Sequence, residues 1–176
     1  MRTVVVFESM FGNTHAVAEH IVRGLGAAGE AVVVAVGDAT ADALAGAGLV
    51  VVGGPTHVHG MVSDRSREAA HQQADKPGSD LTLDPDAEGP TLREWFDGLT
   101  LPAGARAAAF DTRVNGPASL TGRASKGIAK RLERHGATLV VPPESFFVGK
   151  DNHLAEGEAE RAEQWGASLA RSLTPA

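Results

Sequence analysis

The chain has 176 residues, a hydrophobic share of 43%, a charged share of 22% and a formal charge of -6 at pH 7, which is the composition of one globular domain with a full core. The acidic balance excludes general affinity for nucleic acid, which relies on Lys and Arg against phosphates. The lack of cysteine excludes disulfides, thiolate metal sites and a Cys nucleophile. No apolar run reaches the length of a membrane span, and the first residues enter a strand directly with no room for a signal peptide, so the expectation is a cytoplasmic protein without membrane contact.

Thr3-Val4-Val5-Val6-Phe7 is β-branched and apolar, the pattern of a parallel strand buried on both faces. Beyond it Val17, Ile21 and Leu25 recur every four residues and form one stripe of a helix. The loop Glu8 to Thr14 therefore sits at the carboxyl end of a strand and the amino end of a helix, where unsatisfied N–H groups and the helix dipole favour an anion. Ser9, Asn13 and Thr14 can add side-chain hydrogen bonds to phosphate oxygens, and Gly12 lets the backbone approach closely or take a positive φ. No Lys or Arg lies between Phe7 and Arg23, so the contacts would come mainly from neutral donors. A plainer explanation stands beside this one: Ser9 or Asn13 caps the helix and Gly12 makes the turn.

At these residues the chain resembles the flavodoxin family, whose first loop reads Ser/Thr-x-Thr-Gly-Asn-Thr and holds the phosphate of flavin mononucleotide (FMN). Here the loop is Ser9-Met10-Phe11-Gly12-Asn13-Thr14, with Phe11 where the family usually has Thr. The resemblance implies that these six residues hold the phosphate, with backbone N–H groups serving where the Thr hydroxyl is missing.

After the first helix, Ala31 to Val36 reads as a second strand. Residues 24 to 29 match GxGxxG by letter, but they end a helix before a strand, whereas a dinucleotide fingerprint follows a strand and opens a helix. A short helix is expected from Thr40 to Ala47, then a third buried strand, Leu49-Val50-Val51-Val52, ending in Gly53-Gly54-Pro55-Thr56-His57-Val58-His59-Gly60. This second loop is similar to the family's Gly-x-Pro-Thr segment, which flanks the isoalloxazine ring. The resemblance implies ring contacts from Pro55, Thr56, His57 and Val58, with His57 where flavodoxins often place a stacking Trp or Tyr; this chain has no Tyr. His57 and His59 as metal ligands lack the further ligands zinc requires.

Residues 61 to 90 depart most from a minimal alternating chain. Ser63 to Gln73 is expected as a polar-faced helix. Ala74 to Pro90, rich in Asp, Pro and Gly, reads as a mobile loop, either a lid or a solvated excursion without a role. Arg65 and Arg67 serve a solvated face or reach an anion. Thr91 to Leu99 is a short helix with Leu92, Trp95, Phe96 and Leu99 on one side, and Trp95 belongs either to the core or to a stack on the ring.

The fourth strand, Arg106 to Phe110, runs into Asp111-Thr112-Arg113-Val114-Asn115-Gly116, in the place of the family's second flavin-ring loop. By resemblance Asp111, Thr112, Arg113 and Gly116 approach the ring; the alternative for the charged pair is a salt bridge or a helix cap. Gly116 and Gly122 are six apart and Arg123 replaces the required Lys, so a P-loop is excluded. A helix from Thr121 to His135 follows. The fifth strand, Leu139-Val140-Val141 and Phe146-Phe147-Val148, is interrupted by Pro142-Pro143, and a last helix covers Ala155 to Leu173 with Ala162, Trp165, Leu169 and Leu173 buried. Asp151-Asn152-His153 is accounted for as a turn and cap.

Five strands alternating with helices imply a single α/β domain with a parallel sheet and right-handed crossovers. The resemblance implies a flavodoxin-like doubly wound five-stranded sheet of order 2-1-3-4-5 with helices on both faces. It also implies FMN as cofactor and electron transfer to a redox partner protein or a small electron acceptor; the acidic charge suits a basic partner by the same resemblance, or simply keeps the protein in solution. Two further readings stand open: an FMN-dependent NAD(P)H:quinone-type reductase, and a flavin-free interaction module on the same fold.

Overall fold

The computed structural model describes residues 1–26, 29–57, 60–102 and 104–173. The strands are β1 (Arg2–Phe7), β2 (Ala31–Ala35), β3 (Ala47–His57), β4 (Gly60–Met61), β5 (Arg106–Val114), β6 (Thr138–Leu139) and β7 (Glu144–Val148). The helices are α1 (Asn13–Leu25), α2 (Ala41–Leu44), α3 (Asp64–Ala74), α4 (Leu92–Gly98), α5 (Ala118–Thr121), α6 (Ala124–Arg134) and α7 (Glu158–Ser172). A 3-10 turn at Val36–Asp38 links β2 to α2.

The sheet runs β2-β1-β3-β5, with β6 and β7 both on the outer edge of β5. All these pairings are parallel. β6 lies against Arg106 and Ala107 and β7 against Phe110 to Val114. Together they are the expected fifth strand, broken where Pro142 and Pro143 cannot donate to a ladder. The order 2-1-3-4-5 of the five principal strands is thus observed. β3 is longer than its apolar run, because its end folds into an antiparallel hairpin with β4 in which Thr56 faces Met61 and His57 faces Gly60. Val58 and His59, between the two, lie outside the described residues.

Side chains alternate across the sheet with the period of two that strands impose. Val4, Val6, Val50, Val52, Ala107 and Ala109 face one way and pack with Leu92 and Phe96 of α4 and Ile128 and Leu132 of α6. Val5, Phe7, Leu49, Val51, Ala108 and Phe110 face the other way and pack with Val17 and Ile21 of α1 and Ala162 and Leu169 of α7. Both faces are covered, as the unbroken β-branched runs require. Trp95 packs at the margin of the first cluster and donates from Nε1 to the Ala39 carbonyl at 2.7 Å, a core role rather than a stacking one.

α1 and α7 meet backbone to backbone. A Cβ on Gly24 would overlap the Glu163 carbonyl oxygen, and one on Gly166 the Ile21 carbonyl oxygen. The first letter of the GxGxxG match is therefore a packing glycine.

The tract expected to leave the body as a polar loop is instead seated on it. Met10, Val62, Ala70 and Ala87 form a small buried cluster, with Phe11 and Leu83 packed against it. Asp84 N–H donates to the Met10 carbonyl at 2.8 Å, and Arg67 Nη1 donates to the Gly89 carbonyl at 2.9 Å. The few apolar residues of 61–90 suffice because the first loop offers its own Met10 and Phe11 to meet them. α3 opens with a reciprocal Ser63–Ser66 capping box, which places its first turn. Among the described residues no helix is long and apolar enough to cross a membrane.

Candidate functional site

The carboxyl ends of β1, β3, β5 and β7 converge on a cleft of about 240 Å³. It lies where the chain, having paired β2 on one side of β1, places β3 on the other, the switch point at which open α/β sheets bind ligands.

The first loop forms the floor. Gly12 stands at the N-cap of α1 with φ 88°, and among the described residues no side chain caps this helix. Ser9, almost fully buried, accepts the Gly12 N–H on Oγ at 3.0 Å, which holds the loop and leaves the first-turn N–H groups of α1 free. Asn13 is already helical and donates from Nδ2 to the Asn152 carbonyl at 2.8 Å. Capping by Ser9 or Asn13 is therefore not how this helix end is used. Gly12 does take the left-handed conformation, which only glycine adopts without cost.

The other loops are tied to the first. Thr14 and Thr112 share a buried hydroxyl hydrogen bond of 2.7 Å. Thr56 Oγ1 donates to Asp111 Oδ2 at 3.1 Å and accepts the Ala124 N–H at 2.8 Å, while Asp111 Oδ2 also accepts the Ser125 N–H at 2.8 Å. Asp111 is thus wholly buried at the amino end of α6, set back from the cleft wall. There it accepts from the first turn of α6, the end of a helix that favours an acceptor.

Pro55, Thr56 and His57 line one side of the cleft and Thr112, Arg113 and Val114 another. Burial pushes the His57 pKa below its ordinary 6.5, so the ring is neutral at pH 7. Arg113 donates from Nη1 to the Gly116 carbonyl at 2.8 Å and to Thr121 Oγ1 at 2.7 Å, with its guanidinium 4.8 Å from the Phe147 ring centre. Its buried Nε has no partner among the described residues. Gly116 serves by anchoring Arg113 and does not itself line the cleft. Val58 lies outside the described residues. Arg67 is turned to Gly89 and Glu94, away from the cleft.

Sequence reasoning missed four lining residues: Gln73, Val114, Val148 and Asn152. Val148 and Asn152 follow the rule already applied to the other loops, since they lie at and just past the carboxyl end of a parallel strand. Gln73 comes from α3, and nothing in the local sequence signals that this helix reaches the cleft.

The residues present fit a phosphate ester that carries a flat, partly apolar group. The uncapped α1 terminus and the Ser9 hydroxyl supply donors for the anion. Met10, Pro55, Val114 and Val148 supply apolar walls. The molecule is thus a doubly wound α/β protein with a crevice at its switch point. A sequence profile described as Flavodoxin matches residues 5–165, and the chain belongs to the flavodoxin family. Its backbone is similar to that of a flavodoxin from the domain Archaea, with 20% identity, TM-score 0.64, and 98% of this chain and 99% of that one covered. It is also similar to oxidised Flavodoxin 1 from Bacillus cereus (21%, TM-score 0.65, 99% and 100% covered) and to a flavodoxin, WrbA-like protein from Agrobacterium tumefaciens (19%, TM-score 0.60, 98% and 96% covered). No curated protein matches it in sequence.

Proposed function

We propose that the chain binds FMN in this cleft and works in the cytoplasm as an electron carrier between a redox partner protein, or a small acceptor, and its donor. The observation that carries the reading is the free amino end of α1 behind Gly12, set into a cleft that three further strand ends wall in. When bound, FMN supplies the redox chemistry through its ring. The protein's part is to bind and orient. First-turn N–H groups and Ser9 hold the phosphate, the Thr14–Thr112 bond fixes the first loop against the third, and Pro55, Thr56 and His57 shape one wall.

Charge in the wall comes from Arg113, because His57 is neutral and Asp111 is committed to α6. A guanidinium pinned at two acceptors favours negative charge on a neighbouring ring. The exposed Val114, 56% accessible at the cleft wall, offers apolar area to a docking partner.

The test is an absorbance scan of the purified protein before and after adding FMN and removing the excess. Near-ultraviolet and blue bands that stay with the protein support the reading, and reduction in two resolved one-electron steps supports the carrier. Direct bleaching by NADPH or NADH with transfer to a quinone moves the assignment to the reductase. A protein that retains no FMN overturns it and leaves the interaction module.

A further inference from the structure

Beside the first loop, on the side covered by residues 61–90, His15, Asp84 and Asp86 bring one ligand atom each within 4.8 Å of one another. His15 lies in the first turn of α1, and its ring is stacked on Phe7 with centres 4.2 Å apart. Asp84 and Asp86 flank Pro85 in a turn closed by the Ala87 N–H on the Asp84 carbonyl at 3.0 Å. We propose that these three residues form a binding site for a divalent transition-metal ion of the zinc type, built by the insertion against the start of α1.

Three features support it. His15 Nδ1 and Asp84 Oδ2 are 3.3 Å apart, long for a charge-assisted hydrogen bond. Two ligands at about 2.1 Å from one ion, at a tetrahedral angle, lie about 3.4 Å apart, so the pair already has the spacing of a shared ion. The second feature is the burial of Asp84. Its side chain is 2% accessible, yet among the described residues no Lys or Arg pairs with it, and the side chain it meets is the His15 imidazole. A buried carboxylate calls for a positive charge in contact.

The third feature is preorganisation. Asp84 Oδ1 accepts the Asp86 N–H at 2.9 Å, and the Asp84 N–H is held by the Met10 carbonyl at 2.8 Å. The carboxylate is thereby oriented before any ion arrives, as outer-shell hydrogen bonds orient ligands in metal sites. Asp86 is exposed and turns in as the third ligand. One imidazole and two carboxylates favour zinc-type ions over Mg²⁺ and Ca²⁺, which take oxygen alone. Remaining positions are left to water.

The site stands on its own residues and does not depend on what the cleft binds. The full chain, stripped with a chelator, is titrated with Zn²⁺ in competition with a chromophoric chelator, while imidazole nitrogens are followed by NMR. The expected result is one ion per chain with a shift confined to the His15 ring. His15→Gln and Asp86→Asn, both at partly or fully exposed side chains, each weaken binding by about tenfold or more, and His20→Gln leaves it unchanged. Asp84→Asn is included with circular dichroism as a check on folding. No uptake, uptake unaffected by His15→Gln and Asp86→Asn, or equal affinity for Mg²⁺ overturns the site.

Discussion

Glu8 offers the sharpest quantitative test of the fold around the cleft. It follows β1 directly, is 6% accessible, and accepts the Leu92 N–H, the first of α4, on Oε2 at 3.2 Å. Burial pushes its pKa from 4.5 up to about 7, against the opposing pull of the Leu92 N–H and of Arg67 and Arg93. The folded state therefore prefers the neutral acid. Its contribution to stability is complete below pH 4.5 and is lost as pH rises to about 7. At 1.36 kcal/mol per pH unit, the whole window is worth roughly 3 kcal/mol. Glu8→Gln keeps the volume and the acceptor for Leu92 and cannot ionise. Wild type and variant are thus expected to unfold alike near pH 4.5, with the variant gaining steadily to roughly 3 kcal/mol at about pH 8. Urea titrations of both proteins, followed by the emission of Trp95 and Trp165 with the cleft in the same ligand state, give the difference directly, and every other titrating group cancels from it. A difference that does not change with pH refutes the reasoning. So does a variant less stable at about pH 8, since it would mean that the helix terminus and arginines hold Glu8 as a stable anion.

Other perturbations follow from the same packing. Gly24→Ala drives a Cβ into the Glu163 carbonyl and is expected to lower stability by roughly 3 kcal/mol, read as a fall in the urea midpoint at constant slope. Asp111→Ala strips the Ser125 N–H and the Thr56 hydroxyl of a buried acceptor; a loss of roughly 3 kcal/mol is expected in the same assay, and Thr56→Val, which removes the link to Asp111 and leaves the Ala124 N–H without its acceptor, loses about 2 kcal/mol. For His57, whose pKa burial lowers, NMR titration of the ring is expected to give a midpoint under 6.5. Since the unfolded chain then takes up the proton first, this residue's contribution to stability is present above pH 6.5 and lost as pH falls toward the folded midpoint, and His57→Gln flattens that acid-side slope.

The sheet was legible because its strands are buried on both faces. Val4-Val5-Val6 and Val50-Val51-Val52 show no polar alternation, and only a parallel sheet covered by helices on either side accommodates such runs. The place of the first loop was legible because an apolar β-branched run followed by a helical stripe sets it at the carboxyl end of β1 and the amino end of α1. Side-chain assignments within the loops were harder to read. Asn13 and Thr14 carry the donors a phosphate would use, yet their side chains bond to Asn152 and Thr112, partners more than ninety residues away that no local pattern announces. Asp111 could equally have faced the cleft or the helix it caps. The register of β5 against β3, which sets Asp111 beside Gly54, decides that, and register is a property of the assembled sheet.

The chain's two departures from the family's pattern are in contact with each other. Phe11 stands where a Thr hydroxyl is usual, and residues 61–90 add a tract that a minimal doubly wound chain lacks. In the folded molecule they meet: Phe11 and Leu83 pack against the cluster of Met10, Val62, Ala70 and Ala87. A threonine at position 11 would put a hydroxyl in the first loop and remove part of the apolar surface on which the insertion rests. The insertion in turn contributes Gln73 to the cleft and sets the Asp84 carboxylate within 4 Å of where a Cβ on Gly12 would stand. Phe11 finds cover for its ring in the insertion, and the insertion finds apolar surface in Phe11 beside that of Met10. The first loop is thereby packed between the sheet and the tract 61–90. An anion bound there, as proposed above, would lie beside the Asp84 carboxylate and the His15 imidazole as well as the helix terminus.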